Sequence, residues 1–223
     1  MKAGSVFDML GPIMVGPSSS HTAGAVRLGL MARKILGGKP LAARILLHGS
    51  FAETGKGHGT HLALTAGLLG MQPDDERIKF APKLAQEAGL SVVFENVNLG
   101  EVHPNTVKFY LAGTAGEKAV TMGSSVGGGR IVITEVNEFS VEFMGEYPAL
   151  ILLYADSPGM VAEITKVLAL EGINIAQMRV SREGRGKRAL AIMETDELLQ
   201  TEVINKIGEL SKIERVMFIE PLN

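Results

Sequence analysis

The most regular pattern of apolar and polar positions lies in the last third of the chain. Residues 149–155 form a continuous apolar run, which is typical of a buried strand. Val161, Ile164 and Leu168 follow at helical spacing, and Gly172 is suited to end that helix. The predicted elements are a strand at 149–155, a helix across 161–168, strands at 173–180 and 188–194, a helix at 198–210 and a strand at 216–219. The order βαββαβ is the ferredoxin-like arrangement.

The pattern before residue 145 is less regular and mixes the helical and strand periods. Leu28, Met31 and Ile35 share one face of a predicted helix over 22–36, and residues 106–112 alternate as a half-buried strand does. The other predicted elements are strands at 44–47, 91–97, 118–122, 131–136 and 139–144 and a helix at 60–69. Gly and Pro in the segment 145–148 mark a break. We therefore predict an α+β protein with a mixed α/β domain at 1–145 and a ferredoxin-like domain at 149–223.

Composition and charge exclude several classes of protein. The chain has 223 residues, of which 46% are apolar and 21% charged, so it can bury a core and is not disordered. Lys and Arg number 22 against 24 Asp and Glu, and the net charge of −2 argues against a nucleic-acid partner. No apolar run approaches the roughly 18 residues of a membrane span. Asp8 interrupts the apolar N-terminus, which argues against a signal peptide and favours a cytoplasmic protein.

The chain contains no cysteine, which excludes disulfides, thiol catalysis and an iron–sulfur cluster held by this chain alone. Its five histidines remain as possible metal ligands. His58 and His61 can share a helix face, but no carboxylate joins them at a familiar metal-binding spacing. The sequence therefore predicts no metal site.

A serine-rich segment, GPSSSHTAG over 16–24, precedes the first predicted helix. A serine there can cap the helix, and the backbone N–H groups of a helix start can hold a carboxylate or phosphate. The alternative is a sequence that only caps the helix, with its histidine in solvent. Capping needs one polar side chain, however, and this segment has three serines, a histidine and a threonine. The candidate binding residues are Ser18, Ser19, Ser20, His21 and Thr22.

A glycine-rich segment begins with HGS at 48–50 and continues as TGKGHGTH over 54–61. It fails the phosphate-binding pattern of Gly, four residues and then Gly-Lys-Ser/Thr. A mobile loop carrying Lys56, His58 and Thr60 can instead bring an acid, a base or an anion-binding group into a site. A flexible surface loop is the alternative, and the other two histidines of this segment are predicted to be structural.

Two turn motifs follow in the N-terminal part. HPNT at 103–106 stands just before a predicted strand, and its candidate binding residues are His103 and Asn105, although an ordinary strand-entry turn explains it equally well. The run GSSVGGG at 123–129 lacks the spacing of a dinucleotide-binding loop, so a hairpin or an anion-binding turn is favoured.

The ferredoxin-like part has its own candidate ligand site. The loop after its first strand and the start of its second strand both carry groups able to meet a small ligand, although ordinary turn chemistry explains them too. A module of this kind also pairs readily with another copy at its sheet edge. The candidate regulatory residues are Asp156, Pro158, Gly159, Met160, Asn174 and Ile175.

Taken together, these motifs resemble a known family over essentially the whole chain. Residues 149–223 resemble an ACT domain, an amino-acid-binding regulatory module, in the segments DSPGMVAEI and GINIAQM. Residues 1–145 resemble the β subunit of the bacterial iron–sulfur L-serine dehydratases, with PSSSHTAG, HGSFAETGKGHGT, HPNT and SVGGG in order. This part is also similar to the allosteric substrate-binding domain of some phosphoglycerate dehydrogenases.

The resemblance implies a lyase that converts L-serine to pyruvate and ammonia, in cytoplasmic amino-acid metabolism that feeds gluconeogenesis. The family uses a [4Fe–4S] cluster held by cysteines of its α part, where an open iron site activates the substrate hydroxyl. Because this chain has no cysteine, the resemblance implies a β subunit, inactive alone, whose cysteine-bearing α partner holds the cluster. It further implies self-association through the ACT domain.

The resemblance also suggests roles for the candidate residues. We expect His58 and Thr60 to enter the α subunit's site, with His58 as acid or base. The serine-rich segment, Lys56, His103 and Asn105 are expected to bind substrate. Two alternatives belong to other classes. One is a stand-alone amino-acid sensor, which the motif-rich first part disfavours. The other is a hydrolase using Ser20 and His21, which lacks a nucleophile-elbow context.

Overall fold

The computed structural model of the chain describes residues 13–222. The N-terminal segment considered above as a signal peptide lies outside the described residues. The chain divides into two compact units, Met1–Glu138 and Phe139–Asn223. The predicted boundary at residues 145–149 stays a prediction. Among the described residues, no helix is both long enough and apolar enough to cross a membrane.

The helices of the first unit begin at the serine-rich segment. A π-helical turn, Ser19–Gly24, leads directly into α1, Ala25–Leu36, which ends at Gly37 in the left-handed conformation. The predicted helix over 22–36 is thus confirmed, although its first turn is wider than an α-helix. The remaining helices are α2 (Ser50–Glu53), α3 (Thr60–Leu68), a 3₁₀ helix (Glu76–Phe80) and α4 (Ala81–Glu87).

The strands of the first unit form a mixed sheet in the order β2-β1-β3-β4-β5. The β1–β2 pair is parallel, and the β1–β3, β3–β4 and β4–β5 pairs are antiparallel. The hairpin predicted at the glycine run is present, because residues 123–125 and 127 of β4 pair with β5 and the chain turns at residues 128–129. The strands are β1 (Pro40–Leu47), β2 (Ser91–Asn96), β3 (Thr106–Gly113), β4 (Lys118–Gly127) and β5 (Arg130–Val136).

Helices α1 and α3 pack against each other with their backbones nearly touching. A Cβ atom on Gly29 would lie 2.5 Å from the carbonyl oxygen of Leu64, and one on Gly67 would overlap the carbonyl oxygen of Val26. Only glycine permits this approach, because any larger side chain would separate the helices. The contact fixes the serine-rich start of α1 relative to the glycine loop that leads into α3.

The second unit contains the predicted ferredoxin-like fold. After β6 (Phe139–Phe143), it forms a four-stranded antiparallel sheet in the order β10-β7-β9-β8. Helices α5 and α6 cover one face and share a core with that sheet, including Leu150, Ile164, Met193 and Val203. The βαββαβ elements are β7 (Ala149–Ala155), α5 (Met160–Leu170), β8 (Ile175–Arg182), β9 (Arg188–Thr195), α6 (Thr201–Gly208) and β10 (Ile213–Ile219).

Candidate functional site

His21 is the centre of a hydrogen-bonded cluster in the first unit. Ser18 caps the π-helical turn by accepting a hydrogen bond from the His21 backbone N–H, which confirms the predicted serine cap. His21 is 92% buried, and its ring packs edge-on against Phe51 with ring centroids 5.2 Å apart. Its Nε2 lies 3.1 Å from Thr54 Oγ1 and 3.3 Å from Ser50 Oγ. The serine-rich and glycine-rich segments therefore meet at this ring.

The hydrogen bonds around His21 determine which of its nitrogens carries the proton. The Thr54 hydroxyl donates its single proton to the Ser50 carbonyl oxygen at 2.9 Å. Its oxygen then accepts from His21 Nε2–H, so the neutral ring has its proton on Nε2. Burial lowers the pKa of His21; the hydrogen bond with Ser50 opposes this, and the nearby charge of His58 adds to it. The lowered pKa favours the neutral form of His21.

His58 lies beside His21 with the opposite tautomer. The two ring centroids are 4.9 Å apart. His58 Nδ1 lies 3.1 Å from the Thr54 carbonyl oxygen, and because a carbonyl only accepts, Nδ1 carries the proton. The neutral His58 ring therefore presents a free lone pair on Nε2, and the residue is exposed. An exposed imidazole with one nitrogen anchored and the other free is suited to act as a general base.

A pocket of about 210 Å³ opens beside the two histidine-bearing segments. Thr22 comes from the serine-rich segment and His58 from the glycine loop, while Lys79 on the 3₁₀ helix brings a positive charge. A small anionic molecule with a removable proton suits these three groups. The full lining is Val15, Gly16, Pro17, Thr22, Gly57, His58, Gly59, Leu62, Ile78 and Lys79.

The backbone of the glycine loop, residues 54–59, requires glycine at two positions. A Cβ atom on Gly55 would overlap the carbonyl oxygen of Phe51, and Gly59 adopts a left-handed conformation with φ +72°. Lys56 is exposed on this loop. Thr60, expected to enter a partner's site, is fully buried at the start of α3, and its hydroxyl has no hydrogen-bond partner among the described residues. Thr60 contributes to the shape of the loop from this buried position, and its catalytic role stays a prediction.

The two turn motifs pack around the same region. A Cβ atom on Gly49 would lie 2.7 Å from the carbonyl oxygen of Pro104, and one on Gly24 would overlap Ser125 Oγ. The Ser125 N–H in turn donates to the carbonyl oxygen of Asn105 at 3.0 Å. All four motifs of the first part therefore form one connected region.

The remaining candidates of the first unit have local roles. His103 Nδ1 accepts a hydrogen bond from the Asn105 backbone N–H at 3.1 Å, which closes the turn into β3. Ser19 and Ser20 are half-buried within the π-helical turn. His61 packs against Phe94 with ring centroids 4.5 Å apart, as expected for a structural histidine. Burial is the main cause that lowers the pKa of His61.

Three residues of the site were not among the predicted ones. Ser50 and Thr54 lie four residues apart at the start and just beyond the end of the short α2 helix, so both hydroxyls face His21. This i, i+4 spacing was a usable signal in the sequence. Lys79 had no such signal, because it reaches the pocket from a separate 3₁₀ helix.

In the second unit, two of the candidate ligand residues, Asp156 and Asn174, already form hydrogen bonds with neighbouring side chains or backbone. Asp156 Oδ2 accepts from the Gly186 N–H at 3.0 Å and from Arg182 Nη1 at 3.4 Å. Asn174 Nδ2 donates to Asp196 Oδ2 at 2.6 Å. Gly159 directly precedes α5 with φ +94°, and the next residue, Met160, is buried in the core. Pro158 is exposed, and Ile175 lines a shallow depression together with Asn174. Their role in binding a regulatory ligand stays a prediction.

Fold and site define an α+β protein that combines a histidine-containing pocket with a ferredoxin-like unit of the ACT type. Residues 5–89 match the family model "Serine dehydratase beta chain", and residues 149–212 match the ACT domain. The chain belongs to the family of L-serine dehydratase beta chains, which confirms the resemblance found in its motifs.

Two relatives match from end to end. The chain is 42% identical to the "Probable L-serine dehydratase, beta chain" of Bacillus subtilis, over 97% of this chain and 98% of that protein. It is 38% identical to the "L-serine dehydratase, beta chain" of Peptoniphilus asaccharolyticus, again over 97% and 98%. The "L-serine dehydratase" of Mycobacterium bovis is 35% identical over 67% of this chain but only 36% of its own length. The same segment therefore also occurs inside a longer chain.

Proposed function

We propose that this chain is the β subunit of a two-chain L-serine dehydratase, which converts L-serine to pyruvate and ammonia together with a cysteine-bearing α subunit. The supporting observation is end-to-end similarity to two proteins named as beta chains of that enzyme. In this proposal, residues 1–145 form the substrate-binding-like domain and residues 149–223 the ACT domain. The enzyme acts in cytoplasmic serine degradation that feeds gluconeogenesis, and the ACT domains pair two copies of the chain.

The chain's residues do not fit a [4Fe–4S] cluster, because there is no cysteine to provide thiolate ligands. In this proposal the α subunit holds the cluster. Loss of water from serine also requires a base for the α-proton and a group that holds the carboxylate. These two tasks are the ones that the pocket residues can perform.

His58 Nε2 is the proposed base. It accepts the α-proton, the electron pair of the broken C–H bond forms the Cα–Cβ double bond, and the β-hydroxyl leaves. The enamine product tautomerises to an imine, which water hydrolyses to pyruvate and ammonia. The free lone pair of His58 Nε2 supports this role. Neutral His21 positions the loop through Thr54, whose carbonyl oxygen anchors the His58 ring.

The substrate carboxylate is proposed to bind between the serine-rich segment and the cations of the pocket rim. Thr22 and Lys79 line the pocket directly. The other members of this proposed binding set are Ser18, Ser19, Ser20, His21, Lys56, His103 and Asn105.

The decisive experiment measures pyruvate formation from L-serine under anaerobic conditions. It compares this chain alone, its cysteine-bearing partner alone, and the two together after iron–sulfur reconstitution. Activity only in the mixture supports the β-subunit role. Full activity of the partner alone would refute it.

A stand-alone amino-acid sensor is the second candidate function, and the ACT match at residues 149–212 favours it. A sensor would bind L-serine without any partner, and it would leave the partner's turnover unchanged. Calorimetric titration of this chain with L-serine, with and without the α subunit, distinguishes the two functions.

A further inference from the structure

A second pocket, of about 160 Å³, lies within the second unit, beside the segment that joins β6 to β7. Its walls come from residues 142–147 of that segment and from one residue each on β8 and β9. None of these residues has a role in the proposed reaction. The lining is Glu142, Phe143, Met144, Glu146, Tyr147, Gln177 and Glu194.

The β-sheet geometry sets the orientation of the two strand residues. Met193 belongs to the core under the helices, so its neighbour Glu194 points to the opposite face of the sheet. Gln177 pairs directly with Glu194 and shares that face. On the same side of β8, Arg179 Nη1 bonds to Glu142 Oε2 at 3.0 Å and Ser181 Oγ to the Ser140 carbonyl oxygen. Strand β6 therefore borders the pocket.

Glu194 is the unusual residue of this pocket. It is 94% buried as a residue, and no hydrogen bond or ion pair reaches its carboxylate from the described residues, so its oxygens meet only the pocket. A carboxylate that keeps only a narrow opening to solvent loses hydration, and such groups in proteins are normally paired or bind a ligand. Burial, and then the nearby Glu146 carboxylate, raise the pKa of Glu194. The pocket thus concentrates negative charge that nothing in the described part of the chain neutralises.

The side chains that line this pocket favour an organic ammonium group over a metal ion. Within residues 13–222, no group of three or more histidine, aspartate or glutamate side chains is arranged to hold a metal ion. Glu142 is already paired with Arg179, which leaves Glu194 and Glu146 as the free charges. Met144 and the Tyr147 ring are about half exposed and offer apolar and aromatic surface. Two carboxylates beside such surface suit an ammonium group on a short hydrocarbon stem.

We infer that this pocket binds a small primary amine in its protonated form, with the ammonium group on Glu194 and its stem against Met144 and Tyr147. The ammonium group would donate to the buried carboxylate and the Gln177 side-chain oxygen. It would also relieve the repulsion between Glu194 and Glu146. This inference is independent of the proposed reaction, because none of these residues lines the histidine pocket.

The test titrates the full chain with n-butylammonium chloride, against sodium chloride at the same ionic strength. Binding is followed by amide chemical shifts in ¹H–¹⁵N spectra. We expect saturable shifts at Met144, Tyr147 and Gln177. Glu194→Gln keeps the size of the side chain and removes its charge, so affinity should fall at least about tenfold. Glu101→Gln removes an exposed charge of the first unit and should leave affinity unchanged.

Tyr147→Ala provides a second variant, which removes exposed stem-binding surface without touching the buried carboxylate. It should weaken binding while the chain remains folded, as judged by circular dichroism. The inference is overturned by shifts that never saturate, by equal affinity in Glu194→Gln, or by equal binding of sodium butyrate. Displacement of the amine by equimolar calcium chloride would also overturn it, since that outcome identifies a metal site.

Discussion

Replacement of His58 by alanine tests the proposed base most directly. His58 is exposed, and among the described residues its side chain makes one hydrogen bond, from Nδ1 to the Thr54 carbonyl oxygen. Its removal should therefore cost only about 0.5–1.5 kcal/mol of unfolding free energy. Loss of a general base usually lowers the rate by about 10²- to 10⁴-fold. The expected result is a large loss of kcat in a chain that remains almost as stable as the original.

The assay is pyruvate formation by the reconstituted pair of subunits, together with urea unfolding of the isolated chain. The matched control is Glu53→Ala, which changes an exposed residue at the end of α2, next to the same loop. A loss of kcat/KM smaller than about threefold would refute the role of His58. So would an equal loss of activity in the control.

The same variant has a readout that does not depend on activity. Burial is the main cause that lowers the pKa of His21, and the charge of His58 adds a smaller contribution. Without His58, the pKa of His21 should rise towards its ordinary value, and an NMR titration of the His21 ring measures this shift. An unchanged His21 titration would refute the contribution of His58 to the pKa of His21.

Three further variants test other parts of the structure. Thr54→Val removes the hydroxyl between His21 and the Ser50 carbonyl, so urea unfolding should show a loss of about 1–3 kcal/mol. Gly55→Ala should cost about 1–3 kcal/mol by the same measurement, because the new methyl group meets the Phe51 carbonyl oxygen. Its control is Gly57→Ala, where a Cβ atom would lie 3.6 Å from its nearest neighbour. Glu194→Gln should raise the unfolding free energy at pH 7 but not at pH 4. Because the pKa of Glu194 is raised in the folded chain, the folded chain binds more protons than the unfolded chain at pH values above the ordinary carboxyl pKa. The original chain therefore loses stability as the pH rises through that range, and the glutamine variant does not.

Most of the fold was predictable from the regular spacing of apolar residues along the chain. The βαββαβ order of the second unit is confirmed because each of its elements has a continuous apolar run or a clear helical stripe. The 3₁₀ helix and α4 were missed, because both are short and Pro82, at the second position of α4, interrupts the helical pattern. Strand β4 extends through glycines that resemble a turn, since pairing with its neighbours on both sides outweighs their low strand propensity.

The candidate site was predictable in parts but not as an assembly. Local sequence singled out His21 and His58 separately, since each stands in an unusual polar or glycine-rich segment. Their approach to 4.9 Å depends on helix packing between distant segments, which no local pattern encodes. The burial of Thr60 has the same origin, because the position of α3 against its neighbours decides which side chains remain at the surface.

The glycine contact between α1 and α3 has a consequence for motion. With Gly29 and Gly67 in backbone contact, the two helices have no layer of side chains between them that could slide or repack. The residues at the N-terminal ends of α1 and α3 are therefore expected to keep a fixed position relative to each other. Opening and closing around a bound molecule is therefore expected from the loops that line the pocket, such as the glycine loop between Thr54 and Gly59, and not from sliding of the two helices.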